Sequence, residues 1–305
     1  MPTTKKNQAT ESQAAPPKGA CAGCLYVVST PIGNLEDISL RALRILKEAD
    51  VIACEDTRQT LKLLSHFDIH KKLVSYHEHN EITRAPEIVI DLEQGASVAL
   101  VTDAGTPAIS DPGHRLVSLC LRHGIKVVPV PGASALMAAL AGSGMPTEEF
   151  TFVGFLPSRQ AARRKALRML AEEQRTLAFY EAPHRLQDTL EDALEILGNR
   201  PAAIAREITK LHEEFLHGHL EDLVESSRKK PPRGEITLLV GPTDGAMPHN
   251  HAIGKVTNIV PLAKRVEQIM READLDRKAA LKQAARERGL TRREAYKQLL
   301  VTRDE

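Results

Sequence analysis

VALVTDAGTPAISDPG, residues Val98 to Gly113, is the stretch whose reading decides the fold. Val98, Ala99, Leu100 and Val101 form an unbroken apolar run, the pattern of a parallel strand buried on both faces. Thr102 to Gly113 then supplies two Asp, two Pro and two Gly, which turns the chain into a tight loop. Loops at the carboxyl ends of such strands are where open α/β sheets bind ligands. Small residues let a ligand approach the backbone, Thr106 and Ser110 offer hydroxyls, and Asp103 and Asp111 offer acceptors. One such loop alone reads as a plain connection. Repetition changes that reading: LYVVSTPIGN (Leu25 to Asn34) and KVVPVPGASA (Lys126 to Ala135) are again apolar strands that break into Pro, Gly and a hydroxyl residue. Three such junctions in one chain point to one shared crevice.

Around these junctions, strands alternate with helices. Ile38 to Ala49 has helical spacing with Asp37 as its expected N-cap. Val51 to Cys54 is a strand running into EDTR (Glu55 to Arg58), either a capped helix start or a site wall. Leu73 to Tyr76 delivers HEHNE (His77 to Glu81), whose His-x-His lacks a third ligand at a diagnostic spacing and reads as a polar wall or solvated loop, not a metal site. Helices are expected over Ile82 to Gln94, His114 to Arg122 and Ala133 to Leu140, with a strand over Lys126 to Val130. This alternation predicts a parallel sheet with helices on both faces.

AGSGMP (Ala141 to Pro146) breaks the pattern and marks a domain boundary. Beyond it, FTFVGFLP (Phe150 to Pro157) leads into a helix bearing Arg159, Arg163, Arg164, Lys165 and Arg168, a solvated face or a set of phosphate contacts. LAFYEAPHR (Leu177 to Arg185) and AAIAREITKLHEE (Ala202 to Glu214) place charged and imidazole side chains just after apolar strands, and GEITLLVG (Gly234 to Gly241) is the last strand. The expected organisation is a disordered tail (1–22), α/β domains over 23–141 and 142–242, a linker (243–264), and a helical domain (265–305). In the last, Gly289 stops a helix and Thr291 with Glu294 forms a capping box. That pair of helices is a helix-turn-helix-like candidate for nucleic-acid contact or an ordinary αα-hairpin. Charge favours the former, because residues 264–305 carry 12 Lys and Arg against 8 Asp and Glu, leaving 29 against 32 elsewhere.

The 305 residues suffice for about two domains, and no apolar run reaches the roughly 20 residues of a membrane span. Together with the lack of an apolar leader, this predicts a cytoplasmic protein without membrane contact. Cys21 and Cys24 form a C-x-x-C with no completing partner pair, while Cys54 and Cys120 stand alone, so four reduced thiols are expected.

Nine segments in order, STPIGNLEDIS, CEDTR, SYHEHNE, VTDAGTPAISDPG, PVPGASA, FVGFLP, FYEAPHR, REITKLHEE and GEITLLVG, resemble the motifs of the bacterial small-subunit ribosomal RNA (cytidine-2'-O-)methyltransferases. These are a branch of the tetrapyrrole methylase superfamily. The resemblance covers Leu25 to Gly241, leaves the tail with Cys21 and Cys24 outside, and extends to the C-terminal hairpin. It implies a two-domain α/β tetrapyrrole methylase (class III SAM methyltransferase) fold with that hairpin, usually homodimeric, using S-adenosylmethionine in a cleft between the domains. It implies no G-x-G-x-x-G fingerprint, and none opens a helix here.

Carried over residue by residue, the resemblance implies cofactor contacts from Pro31, Asp103, Ala104, Gly105, Thr106, Ile109, Ser110, Ser134, Ala135, Ile236 and Thr237. Transfer to a ribose 2'-hydroxyl requires alignment and removal of a proton. Candidate bases are Glu181, His184, Glu207, Glu213 and Glu55, with Lys210 beside them as an anchor for phosphate or ribose. Arg58, Arg163, Arg164, Arg185, Arg292 and Arg293 are the candidate RNA contacts. The absence of Trp and the few aromatics argue against extensive base stacking and for recognition of shape and phosphate. The resemblance places the target at a cytidine in the decoding region of 16S rRNA in the small subunit. A precorrin-type methyltransferase, or a non-enzymatic RNA-binding factor retaining the pocket, are the rival readings.

Overall fold

In a computed structural model, residues 23–242, 262–273 and 276–287 are described. Their contacts divide the chain into two units. One runs to Ala139 and includes Glu207–Glu213; the other comprises Leu140–Arg206 and the chain from Glu214 onward. The Glu207–Glu213 segment therefore departs from the sequential boundary expected at 141/142.

The first unit is built on strands β1 (Cys24–Val28), β2 (Val51–Cys54), β3 (Lys72–Ser75), β4 (Val98–Val101) and β5 (Lys126–Val130). They lie in the order β3-β2-β4-β1-β5, every pairing parallel. Alternation along β1 and β4 divides the apolar runs between two cores. Cys24, Tyr26, Val28, Ala99 and Val101 meet the helices α1 (Leu40–Glu48) and α2 (Thr57–His66) on one face. Leu25, Val27, Val98 and Leu100 meet α3 (Glu81–Glu93) and α4 (His114–Arg122) on the other. Burial on both faces explains why these strands read as continuous apolar runs. Helix α5 (Ala135–Ser143) follows β5.

Asp37 does not cap α1. Leu35–Asp37 form a 3-10 turn, and Ser39 caps α1, its hydroxyl accepting from Ala42 N–H at 3.1 Å. EDTR is a helix start, since Asp56 caps α2 and accepts from Arg58 N–H at 2.8 Å.

The second unit carries β6 (Phe150–Phe155), β7 (Thr176–Glu181), β8 (Pro201–Arg206), β9 (Glu214–His219) and β10 (Ile236–Val240) in the order β6-β7-β10-β8-β9. Only β6 and β7 run parallel. Helices α6 (Gln160–Met169), α7 (Leu186–Leu197) and α8 (Leu220–Lys229) close one core over this sheet. Strand β9 is absent from the expected elements, because EFLHGH has no apolar run and sits half-buried at the edge. In the expected helical domain, the described residues form two helices, α9 (Leu262–Ala273) and α10 (Arg277–Glu287), sharing their own apolar cluster. Asp276 starts α10 by accepting from Ala279 N–H at 2.7 Å. The expected capping box at Thr291 and Glu294, the contacts Arg292 and Arg293, the residues 1–22 with Cys21, and most of the linker lie outside the described residues.

Candidate active site

The order β3-β2-β4-β1-β5 reverses the direction of winding between β4 and β1, so the loops after these strands flank a topological switch point. Backbone and hydroxyl groups join them. Thr30 N–H donates to Gly105 O at 2.9 Å, Gly105 N–H donates to Thr30 O at 3.2 Å, and Thr30 Oγ1 donates to Thr102 O at 3.1 Å. Ser29 Oγ and Thr106 Oγ1 are 2.8 Å apart. The third junction packs as closely, for a Cβ on Gly132 would stand 2.9 Å from Ser29 Cβ. The three strand-to-loop junctions thus lie side by side. EDTR joins them, since Asp103 Oδ1 accepts Asp56 N–H at 3.1 Å.

The central loop is strained. Ala108 and Ser110 adopt φ of +68° and +62°, left-handed values uncommon outside glycine. Gly113 closes it at φ +143°, where a Cβ would meet Ala108 N at 3.0 Å. Below its rim an open hollow of about 590 Å³ is lined by Glu55, Glu78, Glu81, Ser110, Asp111 and Arg115 among others, which makes HEHNE part of a wall. Burial pushes the Asp111 carboxyl up to about 6, with the charge of Glu55 adding to the effect. Burial raises Asp103 as well, with Glu55 and Asp56 opposing its ionisation and the Asp56 N–H favouring it.

Glu207–Glu213 completes this unit's constellation. Glu207 and Thr209 take φ of +50° and +67°. Thr209 Oγ1 donates to Asp37, and Thr209 N–H donates to Glu213. Lys210 Nζ pairs with Glu207 Oε1 at 2.9 Å, and its aliphatic stem lies on Gly33 of STPIGN. A Cβ at Gly33 would fall 2.4 Å from Lys210 Cγ, so glycine is what admits the lysine.

In the second unit, the register brings FYEAPHR, the start of REITKLHEE and the start of GEIT to one end of the sheet, Ile236 lying opposite both Glu181 and Arg206. A model of the Tetrapyrrole (Corrin/Porphyrin) Methylases matches residues 24–224, across both constellations. The chain belongs to the tetrapyrrole methylases. The ribosomal RNA small subunit methyltransferase I of Halalkalibacterium halodurans is 50% identical over 275 residues, 90% of this chain and 93% of that one. That of Thermotoga maritima is 51% identical over 218 residues, 72% and 98% respectively. Within the tetrapyrrole methylases, the chain falls in this group. Among solved structures, the Thermus thermophilus uroporphyrin-III C-methyltransferase complexed with S-adenosylhomocysteine matches with a TM-score of 0.51 at 23% identity, covering 71% of this chain and 96% of that one. Cobalt precorrin-4 methyltransferase matches at 0.54 and 19%, covering 72% and 95%. These two likenesses concern the fold.

Several sequence candidates of this tetrapyrrole methylase change role. Glu181 is no accessible base: its side chain is 0% exposed, Oε1 accepts Ala182 N–H at 2.8 Å, and Oε2 accepts the Thr189 hydroxyl at 2.7 Å. It holds Arg185, whose Nε lies 3.2 Å away and whose Nη2 donates to Leu156 O at 2.5 Å. Arg163 is no exposed phosphate contact, being buried against Asp192 at 2.7 Å, and Arg164 bridges Asp192 and Glu195. Two cations of that basic stripe are thus tied to acids of α7, while Arg159, Lys165 and Arg168 are exposed. Arg58 remains exposed while paired with Asp56, which is held down at about 2 by that hydrogen bond. His184 and Glu213 are exposed. Ile236 and Thr237 open the central strand β10 with buried side chains. Cys24, Cys54 and Cys120 are buried and in no disulfide. No helix among the described residues is long and apolar enough to cross a membrane.

The first unit's loops fit S-adenosylmethionine in their chemistry. Gly105 leaves backbone uncovered beside Ile32, where a Cβ would sit 3.5 Å from that side chain. Burial, with neighbouring carboxylates adding to it, opposes the ionisation of Asp103 and Asp111, and a sulfonium or ammonium cation would favour it.

Proposed function

We propose that this chain methylates the 2'-oxygen of a cytidine ribose in the decoding region of 16S ribosomal RNA, acting in the cytoplasm as a homodimer on the small subunit. As a member of its group it is an S-adenosylmethionine-dependent methyltransferase. The observation that carries the RNA reading is the 50% identity, over nearly the whole of both chains, to a protein named for small-subunit ribosomal RNA.

Bound S-adenosylmethionine supplies a methyl carbon made electrophilic by its sulfonium. On transfer the ribose oxygen would take that methyl as the cofactor left as S-adenosylhomocysteine, and the hydroxyl proton would pass to a group of the protein. Pro31, Asp103, Ala104, Gly105, Thr106, Ile109, Ser110, Ser134, Ala135, Ile236 and Thr237 are the residues proposed to hold the cofactor. Asp103 and Asp111 favour its positive charge. Glu213 and His184, both exposed, are the groups suited to take the proton. Lys210, steered by Glu207 and seated on Gly33, offers its ammonium to the ribose or an adjacent phosphate. Arg58 and Arg185 contribute further phosphate contacts. The sequence candidates Arg163 and Arg164 leave this role to them.

Transfer of labelled methyl from S-adenosylmethionine tests the reading, with small subunits from cells lacking the enzyme, naked rRNA and a tetrapyrrole as acceptors. Label on one ribose 2'-oxygen of the subunits is the expected result. Label on the tetrapyrrole alone, or on none of the three, rejects it.

A further inference from the structure

One face of the second unit's sheet gathers three of the chain's six Phe and four Tyr. Phe152 of β6 meets Tyr180 of β7 edge to face with ring centres 5.0 Å apart, and Phe155 meets the same ring at 5.7 Å, tilted by 55°. A regular strand would send Phe152 and Phe155, three residues apart, to opposite faces. The β6–β7 register shifts between Phe152 and Gly154, and Gly154 takes φ +74°, where glycine is free to go. That extra residue re-aims Phe155 onto the face of Phe152 and Tyr180. Leu177 and Phe179, on the other face of β7, are closed into the helix-backed core, whereas Phe155 stays 56% exposed.

The surroundings of this exposed ring are cationic. Arg185 is fastened to the carbonyl of Leu156, next to Phe155, with the buried Glu181 behind it. Arg159 follows β6 by four residues and His184 follows β7 by three; both are exposed, and the two parallel strands end on the same side. An aromatic face with arginines at the ends of its own strands is complementary to a nucleobase with its flanking phosphates. We propose that Phe155, backed by Tyr180, is a stacking platform for one unpaired base of the RNA substrate, with Arg185 and Arg159 gripping the adjoining phosphates. The inference rests on RNA being the substrate. The scarcity of aromatics that argues against extensive stacking is compatible with it, because a single platform needs only these rings.

The chain has no Trp, so Phe155→Trp introduces a single indole reporter. In the full-length protein with S-adenosylmethionine present, small-subunit rRNA is expected to quench that indole to saturation. Phe155→Leu, which keeps apolar bulk without a π face, is expected to raise KM for RNA about tenfold or more with cofactor affinity unchanged, and Phe155→Tyr to restore most of the loss. An unchanged KM in Phe155→Leu together with an unquenched indole overturns the platform. A shift of Phe155→Leu from dimer to monomer with unaltered RNA affinity overturns it in favour of a contact between copies of the chain. If the wild-type chain methylates no RNA, the substrate reading fails first and the platform with it, whereas wild-type transfer with an indifferent Phe155→Leu removes the platform alone.

Discussion

Exchanging Arg163 for Met removes a guanidinium whose Nε donates to Asp192 Oδ2 at 2.7 Å, where the two side chains are 3% and 4% exposed. Methionine keeps the apolar stem but leaves a buried carboxylate whose remaining close cation is Arg164, at 2.9 Å from Oδ1. Removing one partner of a buried ion pair costs about 3–5 kcal/mol, because the other charge stays desolvated. The contact with Arg164 argues for the lower end, about 3 kcal/mol. At roughly 2–4 °C per kcal/mol for a protein of this size, the melting temperature should fall by about 6–12 °C. Arg164→Met is the comparison: its bridge to Glu195 reaches solvent, so a clearly smaller fall in melting temperature is expected. Combining Arg163→Met with Asp192→Leu removes both charges and should recover most of the loss. Calorimetry near neutral pH on the full chain reads all four proteins. A melting temperature for Arg163→Met equal to wild type, joined to a raised KM for RNA, would refute the structural assignment and return Arg163 to the phosphate contacts.

Two further outcomes are expected. Gly33→Ala would place a Cβ 2.4 Å from Lys210 Cγ at a backbone φ of +152°, and should slow methyl transfer by roughly ten- to a hundredfold through displacement of Lys210, with cofactor affinity retained; an unaltered kcat would show that the position of Lys210 does not matter. Asp111 holds its proton up to about pH 6 in the folded chain against an ordinary value of 3.8, so the folded state is favoured most below about pH 4 and loses that advantage as pH rises through about 6. Asp111→Asn should therefore raise the melting temperature near pH 8 by about 2–4 °C, after allowance for solvent screening, and have little effect near pH 4. Melts showing the reverse order would contradict burial and Glu55 as the cause.

The parts of the fold legible in the sequence are those whose signal is local. The limits of α4 and β5 coincide with the expected ones, because apolar runs bounded by Gly and Pro say where an element begins and ends. The loops after β1, β4 and β5 are equally readable, since small residues, Pro and hydroxyls cluster there. Strand β9 is not, as an edge strand half-buried on both faces has no need of an apolar run. Ser39 took the capping role assigned to Asp37 because the 3-10 turn shifts the helix start, leaving the Asp37 carboxylate for Thr209.

Residue types at strand ends thus named the chemistry of this chain: acids, hydroxyls and open backbone in the first half, cations and carboxylates in the second. Whether a charged side chain faces solvent or a buried partner depends on a neighbour distant in sequence. Arg163 and Asp192 are 29 residues apart, Glu181 is fixed by Thr189 across the start of α7, and Thr209 meets Asp37 from 172 residues away. Nor does alternation foretell Phe155, whose outward aim follows from one extra residue in the β6–β7 ladder. Local spacing determined the apolar strands and the loops that follow them, and the motifs resembling the family supplied the cofactor candidates. Long-range packing and sheet register decided which candidates are exposed, because burial and pairing are properties of the assembled sheet and not of the segment.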